Sequence, residues 1–372
     1  MELASIEFPQ EENMKVQLIG ELKTVMSNRD GIHNYFAWPT LTRLKNGRLA
    51  VGASGFRLFH VCPFGKGVLS YSDDGGKTYT SPATVFDTVL DDRDVGLCPF
   101  GESGLIATSF NNRVEFQRVQ NQKRTDSPKK SYIDAYLDLV SPEAEEAVLG
   151  STYRISLDDG VTFGPILKSP ITSPHGPTEL QSGEILWVGT SFESGCDILA
   201  YRLHSTEGRM EYVGEIDTSG IKGDGGVPGE PYAIETDDGR ILCHIRADFP
   251  GYRSFTLYQS ESFDGGKTWT TPVQILPEGE GAPSHILKHS SGALICAYGH
   301  RRSPNGIKVM ISRDGGNTWG EGEYLYRHPT TYDLGYPSTV ELSDGSLLTV
   351  FYTRGNSEGE GMILAQKWSF TE

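Results

Sequence analysis

Hydrophobic and polar residues alternate along this chain in short runs, and the runs end at turns rich in Gly, Asp and Ser. Ile307-Lys308-Val309-Met310-Ile311, followed by Ser312-Arg313-Asp314-Gly315-Gly316, is representative. Period-two alternation bounded by turn residues predicts strands joined as hairpins. Four of the turns share one spelling: Ser72-x-Asp74-Gly75-Gly76-Lys77-Thr78-Tyr79, Ser156-x-Asp158-Asp159-Gly160-Val161-Thr162-Phe163, Ser262-x-Asp264-Gly265-Gly266-Lys267-Thr268-Trp269 and Ser312-x-Asp314-Gly315-Gly316-Asn317-Thr318-Trp319. In such a turn the Asp carboxylate accepts backbone N–H bonds, Gly supplies positive φ, and the aromatic tucks back between strands.

A second repeat precedes these boxes: a Pro, an apolar stretch, an Asp/Asn/Ser-Gly turn and another strand. It occurs at Pro39, Pro177, Pro231, Pro283 and Pro337, and the last four lie 54, 52 and 54 residues apart. The longer gap from Pro39 to Pro177 holds a degenerate copy, Asp94-Val95-Gly96-Leu97 through Ser103-Gly104-Leu105-Ile106, which makes six units. Hairpin-built periods of about 40–55 residues predict a β-propeller of four-stranded blades. The expectation is one six-bladed, all-β domain over 1–372. Surplus residues in unit two, about 119–150, have helical composition with Ser141-Pro142 as cap and first turn, so they read as a helical insertion. The last unit has room for only three strands, and Val16–Leu22 is a spare strand able to close the ring and remove a sheet edge.

Composition narrows the partners. The chain has 44 Gly and 20 Pro in 372 residues, and a formal charge of −16. That excess of acid argues against nucleic acid, which is bound through clustered Lys and Arg, and against anionic membrane surfaces. No run of about 18 apolar residues occurs. Five scattered cysteines without CxxC spacing read as free thiols rather than a disulfide framework or zinc site. The N-terminus lacks a basic segment followed by an apolar one, so the cytoplasm is the expected compartment. No metal or cofactor is expected.

The boxes are similar to the Asp-box, or BNR, repeat, and through them the chain resembles the sialidase (neuraminidase) superfamily over essentially its whole length. In that family the boxes lie on the outer rim, so the chemistry must be sought elsewhere. The stretch Gly229-Glu230-Pro231-Tyr232 through His244-Ile245-Arg246 looks like the one in which a Glu precedes an inner strand and an Arg follows the next. The resemblance implies that Glu230 activates the nucleophile and that Arg246 grips a sugar carboxylate. Asp333-Leu334-Gly335-Tyr336-Pro337-Ser338 falls where the family places its nucleophilic tyrosine. A phenol deprotonated by a nearby Glu can meet a cationic centre beside a carboxylate, where a second carboxylate would be repelled.

The chain also departs from that pattern. Phe36-Ala37-Trp38-Pro39 has Ala37 where the family has an Arg, and the segment from Gly55 to Lys66 contains no Asp to serve as general acid. Arg301 and Arg302 precede Pro304 and Gly306, a displaced setting for the third arginine. Other polar groups at inner-strand ends are expected to face the central cavity, where a packed core would want none. They are Trp38, Arg57 and His60 in blade one, Asp92, Arg93 and Asp94 in blade two, and His175 in blade three. Blade four adds Glu230 and Arg246, blade five His285, His300 and Arg301, and blade six Tyr336 and Arg354. Trp38 would offer a stacking platform for a sugar, and His60, Asp92 and Asp94 are the candidate acids. His175 has a competing role as a turn residue, and Asp92-Arg93-Asp94 as a structural ion pair.

These residues predict a glycosidase that removes a terminal sugar, gripped through an acidic group or through its hydroxyls. A uronic-acid lyase using His175, Tyr336 and Arg246 is an alternative, as is a non-catalytic glycan-binding propeller. Metal-assisted deacylation lacks an HxH or HExxH motif. The blade-two insertion is the element expected to contact another subunit or to lid the cavity.

Overall fold

The alternating runs become strands of six antiparallel sheets arranged as the blades of a propeller. The computed structural model describes residues 15–371, except 126–127, 251–253, 278, 282, 329–330 and 356–359. Blade one is Tyr35–Arg43, Leu49–Arg57, Lys66–Ser72 and Ala83–Phe86; blade two is Arg93–Phe100, Gly104–Phe110, Ser151–Ser156 and Leu167–Ser169. In blade three the inner strand is broken into Ile171–Thr172 and Thr178–Glu179. Blades four, five and six have Val227–Glu235, Ser284–Lys288 and Leu334–Glu341 innermost.

The ring closes as the spare strand suggested. Val16–Met26 pairs antiparallel with Gly361–Phe370, from Val16 opposite Phe370 to Met26 opposite Ile363, and so becomes the fourth strand of blade six. The first and last described strands thus share one sheet, and Val16–Met26 covers the edge that Gly361–Phe370 would otherwise leave.

The apolar core lies between blades, because each sheet buries both faces against its neighbours. Leu41, Val51 and Val68 of blade one meet Val350 and Tyr352 of blade six, and Cys98, Ile106 and Tyr153 of blade two meet Ile185, Trp187 and Leu203 of blade three. The Asp-boxes staple the outer hairpins. In the first, Asp74 accepts from the Lys77 and Thr78 amides at 3.0 and 2.9 Å and from Thr78 Oγ1 at 2.6 Å, and the other three boxes repeat the bond to the Thr amide. Those bonds hold the Asp158, Asp264 and Asp314 carboxyls down at about 2.

The insertion in blade two is helical: Val114–Gln122, Pro128–Leu137 and Pro142–Val148, with Ser141 capping the last by accepting from the Ala144 amide at 3.2 Å. It starts earlier than residue 119 because its true neck is Asn111, whose amide donates to the Gly150 carbonyl and whose Oδ1 accepts from the Gly150 amide. Ile133 and Leu137 pack on Leu58 and Cys62, so the insertion buttresses the loop that leaves blade one.

Candidate active site

Four of the six inner strands, those of blades one, two, four and six, enter the centre of the ring through an irregularity. Register breaks fall between Ala37 and Thr40, Arg93 and Gly96, Gly229 and Tyr232, and Gly335 and Ser338. At the break sits a non-glycine residue with positive φ: Trp38 at 55°, Asp94 at 44°, Glu230 at 49° and Tyr336 at 50°. A bulge re-aims one side chain out of the strand's alternation. Holding a bulky residue at positive φ costs about 1–3 kcal/mol, and such strain gathers at functional sites. Three of these four residues directly precede a proline, which ends the bulge and resumes the strand.

Two of the re-aimed side chains meet. The Tyr336 hydroxyl donates to Glu230 Oε1 at 2.6 Å, although the residues are 106 positions apart. Arg246 spans the pair, with Nη1 2.6 Å from Glu230 Oε2 and 3.3 Å from the Tyr336 hydroxyl. Its other edge is fixed by Asp248, which accepts from Nε at 2.6 Å and Nη2 at 2.8 Å. Burial pushes the Tyr336 phenol well above its ordinary range, and the nearby Glu230 carboxylate adds to that. The phenol therefore holds its proton until a base takes it, and Glu230 is hydrogen-bonded to receive it. Burial acts to lower the Arg246 guanidinium, but Glu230, Tyr336 and Asp248 outweigh it and keep the group firmly charged.

Two more guanidinium groups approach this pair. Arg301 lies over the Phe255 ring at 5.4 Å, beside Arg246 at 4.8 Å on the same ring, and donates from Nε to the Leu334 carbonyl. It makes no ion pair among the described residues. Arg93 lies over Trp38 at 3.9 Å, and the Trp38 ring in turn meets Tyr336 edge-on at 6.4 Å. Asp94 is 5% exposed, and its Oδ1 has no hydrogen-bond partner. Burial raises its pKa to about 7, where the opposing pull of Arg93 is partly offset by Glu230.

Other expected site residues lie elsewhere. Trp38 is 1% exposed, sealed by Arg93 and Arg57, and presents no open face to a sugar. Arg57 is fully buried and paired with Asp91 at 2.5 Å; it donates to Ser54 Oγ at 2.6 Å and to the His60 carbonyl at 2.8 Å, so it braces a loop. Asp92 points outward from the centre: its carboxylate accepts from the Thr88 amide at 2.7 Å and the Thr88 hydroxyl at 2.9 Å. Its pKa of about 7 reflects burial around that turn. His175 and His285 form a buried plug with Tyr232, the two histidines edge-to-face at 5.2 Å and His285 stacked on Tyr232 at 4.6 Å. The backbones of Gly96 and Gly176 touch there, because any Cβ on Gly96 would lie 2.4 Å from the Gly176 nitrogen. Burial keeps both histidines neutral. His300 packs edge-on to Tyr324 with Glu280 3.7 Å away. Arg354 reaches Asp333 at 3.8 Å.

Asp333 was not singled out from the sequence, and it organises one wall. It accepts from Tyr352 at 2.9 Å and Tyr35 at 3.1 Å, and His60 Nδ1 lies 3.5 Å away. Burial would raise it, but His60 and Tyr352 outweigh that and hold its carboxyl at about 2. Asp248 and Phe255 were missed too. Asp248 had a signal, since it stands two positions from Arg246 and so shares its strand face. Phe255 comes to the site through strand pairing, opposite Asp248 in the same blade, and Asp333 meets Tyr35 and His60 only because blades one and six pack on one another. Among the described residues, no group of three or more His, Cys, Asp or Glu side chains is arranged to hold a metal ion.

Comparison with known proteins bears on the fold and the family. Residues 139–349 match the family model described as a BNR repeat-like domain. Among solved structures, a protein of unknown function from Dyadobacter fermentans is similar with a TM-score of 0.73 and 20% identity, over 96% of this chain and 99% of that one. The intramolecular trans-sialidase from Ruminococcus gnavus is similar at 0.59 and 14%, over 91% and 94% of the two chains. The alpha-L-arabinanase of Penicillium chrysogenum is similar at 0.60 and 14%, over 95% and 98%. No curated protein matches the sequence.

Proposed function

The chain belongs to the BNR repeat-like family, and from that premise we propose that it is an exo-acting glycosidase that removes a terminal, acidic sugar from a glycan. The observation that carries this reading is the 2.6 Å hydrogen bond from the Tyr336 hydroxyl to Glu230, with Arg246 bound to both. The solved structures similar in fold include a trans-sialidase and an arabinanase, which act on glycans.

Tyr336 attacks the anomeric carbon as its proton passes to Glu230, so the buried phenolate never stands alone. Arg301, free of an ion pair among the described residues, receives the substrate's anionic group, with Arg246 and Arg93 beside it. Asp94, buried and unpartnered, bonds a sugar hydroxyl or amide that enters its place. The lyase alternative draws on His175, Tyr336 and Arg246, and the burial of the His175 ring against Tyr232 and His285 weighs against a part for that residue.

The test is a panel of 4-nitrophenyl glycosides of sialic, uronic and neutral sugars, run with the parent and with Glu230→Gln. Release of nitrophenol from an acidic glycoside, lost in the variant with the circular dichroism unchanged, is expected. Equal rates in both proteins would overturn the proposal, as would a product with the ultraviolet absorbance of a C4–C5 double bond from a 4-linked uronic-acid oligosaccharide assayed beside the panel.

A further inference from the structure

We propose that His60, positioned by Tyr35 and Asp333, is the group that protonates the leaving oxygen and then activates water. This rests on the glycosidase reading above and adds to it the residue that handles the second proton.

Such a group must reach the aglycone, which extends from the sugar toward solvent on the side away from the nucleophile. Asp94 is 5% exposed and lies beneath the sugar rather than toward solvent, and Asp92 is turned into the Thr88 loop. The His60 side chain is half exposed, at 51%, and its ring packs edge-on to the same Trp38 that Tyr336 touches, at 4.9 Å. Trp38 thus stands between nucleophile and histidine. Among the described residues only Nδ1 of the ring is hydrogen-bonded, 3.0 Å from the Tyr35 hydroxyl, which itself donates to Asp333 at 3.1 Å. With Nδ1–H donating to Tyr35 and Tyr35 to Asp333, the free nitrogen is Nε2, the atom that faces a leaving group.

The backbone beneath is locked as tightly. The His60 carbonyl accepts from both Arg57 and Arg93 at 2.8 Å, and the adjoining Val61 carbonyl accepts from Arg124 of the insertion at 2.9 Å. Arg124 and Lys129 also cover the Phe59 ring, so the helical insertion serves to hold this loop. The charged and titratable groups facing His60 are therefore Asp333, Tyr35, Arg57 and Arg93, with Tyr352 and Arg354 behind Asp333.

In the first step the anomeric C–O bond breaks and its electron pair goes to the leaving oxygen, which takes the proton from His60 Nε2. The Tyr336 oxygen bonds to the anomeric carbon as its own proton moves to Glu230. In the second, water bonds to that carbon and gives a proton to neutral His60, while the tyrosine leaves and recovers its proton from Glu230.

The experiment compares the parent with His60→Gln on two sets of probes: 4-nitrophenyl glycosides, whose leaving group needs no proton, and methyl glycosides, whose leaving group does, each made with sialic and glucuronic acids. General acid catalysis is worth about 10²–10⁴-fold, so the variant should lose at least about 100-fold more on the methyl than on the nitrophenyl glycosides. Equal losses on the two would reject His60. No turnover of either set by the parent would reject the glycosidase reading itself. Asp333→Asn removes the anion that supports protonated His60, so the alkaline limb of kcat/KM should move to lower pH; an unmoved limb would reject the positioning role of Asp333.

Discussion

Replacing Asp91 by Asn probes what holds the site together. Its side chain and that of Arg57 are both 0% exposed, with 2.5 Å between their charged atoms. Asp91 Oδ2 also accepts from Arg93 Nη1 at 3.2 Å and from the Cys62 amide at 3.0 Å. One carboxylate thus balances two buried guanidinium groups. An amide of the same shape could keep one or two of these bonds but leaves both cations uncompensated, and breaking a buried pair in this way costs about 3–5 kcal/mol. For a chain of this size that corresponds to a fall in Tm of roughly 4–6 °C. The pH dependence has a defined sign. Burial alone would raise the Asp91 carboxyl, but Arg57 and Arg93 outweigh it and hold it below the usual range. Its contribution is therefore complete above the ordinary carboxylate pKa of about 4 and is lost as pH falls further. Thermal unfolding of parent and Asp91→Asn should differ fully at pH 7 and converge toward pH 2. A difference below about 1 kcal/mol at pH 7 would refute the reasoning, because it is what an exposed pair gives.

Three further outcomes are expected. Arg301→Met should raise KM for an acidic glycoside by about 10–100-fold, the equivalent of one charge-assisted hydrogen bond, while a neutral analogue of the same sugar is unaffected; equal effects on both would remove Arg301 from anion binding. Deleting the chain through Met26 strips the outer strand from Gly361–Phe370, and light scattering should show association through the bared edge; a monodisperse, equally stable product would contradict this. Asp94→Asn should gain stability relative to the parent as pH rises from about 4 to 7, because the parent must ionise a buried carboxyl whose folded pKa lies at about 7; parallel stability curves would show that Asp94 is not desolvated.

The architecture was legible because it is written in local signals repeated around the ring. The Asp-box spelling, the proline period and the unpaired strand Val16–Leu22 each depend on a few neighbouring residues, and all point to one closed propeller. The Glu230–Tyr336–Arg246 group could be anticipated through the resemblance of the stretches Gly229–Arg246 and Asp333–Ser338 to those of sialidases. What was illegible is which way a bulge turns its side chain. Trp38 occupies the same bulged position as Glu230 and Tyr336, yet two guanidinium groups cover it and it serves as an internal wall. Asp91 and Asp92 are adjacent in sequence, and only the packing of the 58–65 loop decides that Asp91 meets the arginines while Asp92 closes a turn. His175 and His285 follow the inner-strand pattern but come to rest in the plug, where neighbouring blades approach too closely for a ligand.

The account's central claim is that Tyr336, deprotonated by Glu230, bonds to the sugar. Intact-mass measurement after incubation with fluorinated glycosyl fluorides of sialic and glucuronic acid, which form the covalent intermediate faster than water removes it, tests this directly. The account predicts a gain of one fluorinated sugar residue, mapped by peptide fragmentation to Tyr336 and absent from Tyr336→Phe. A label on another residue, or turnover of the parent glycoside by Tyr336→Phe at an undiminished rate, would contradict it.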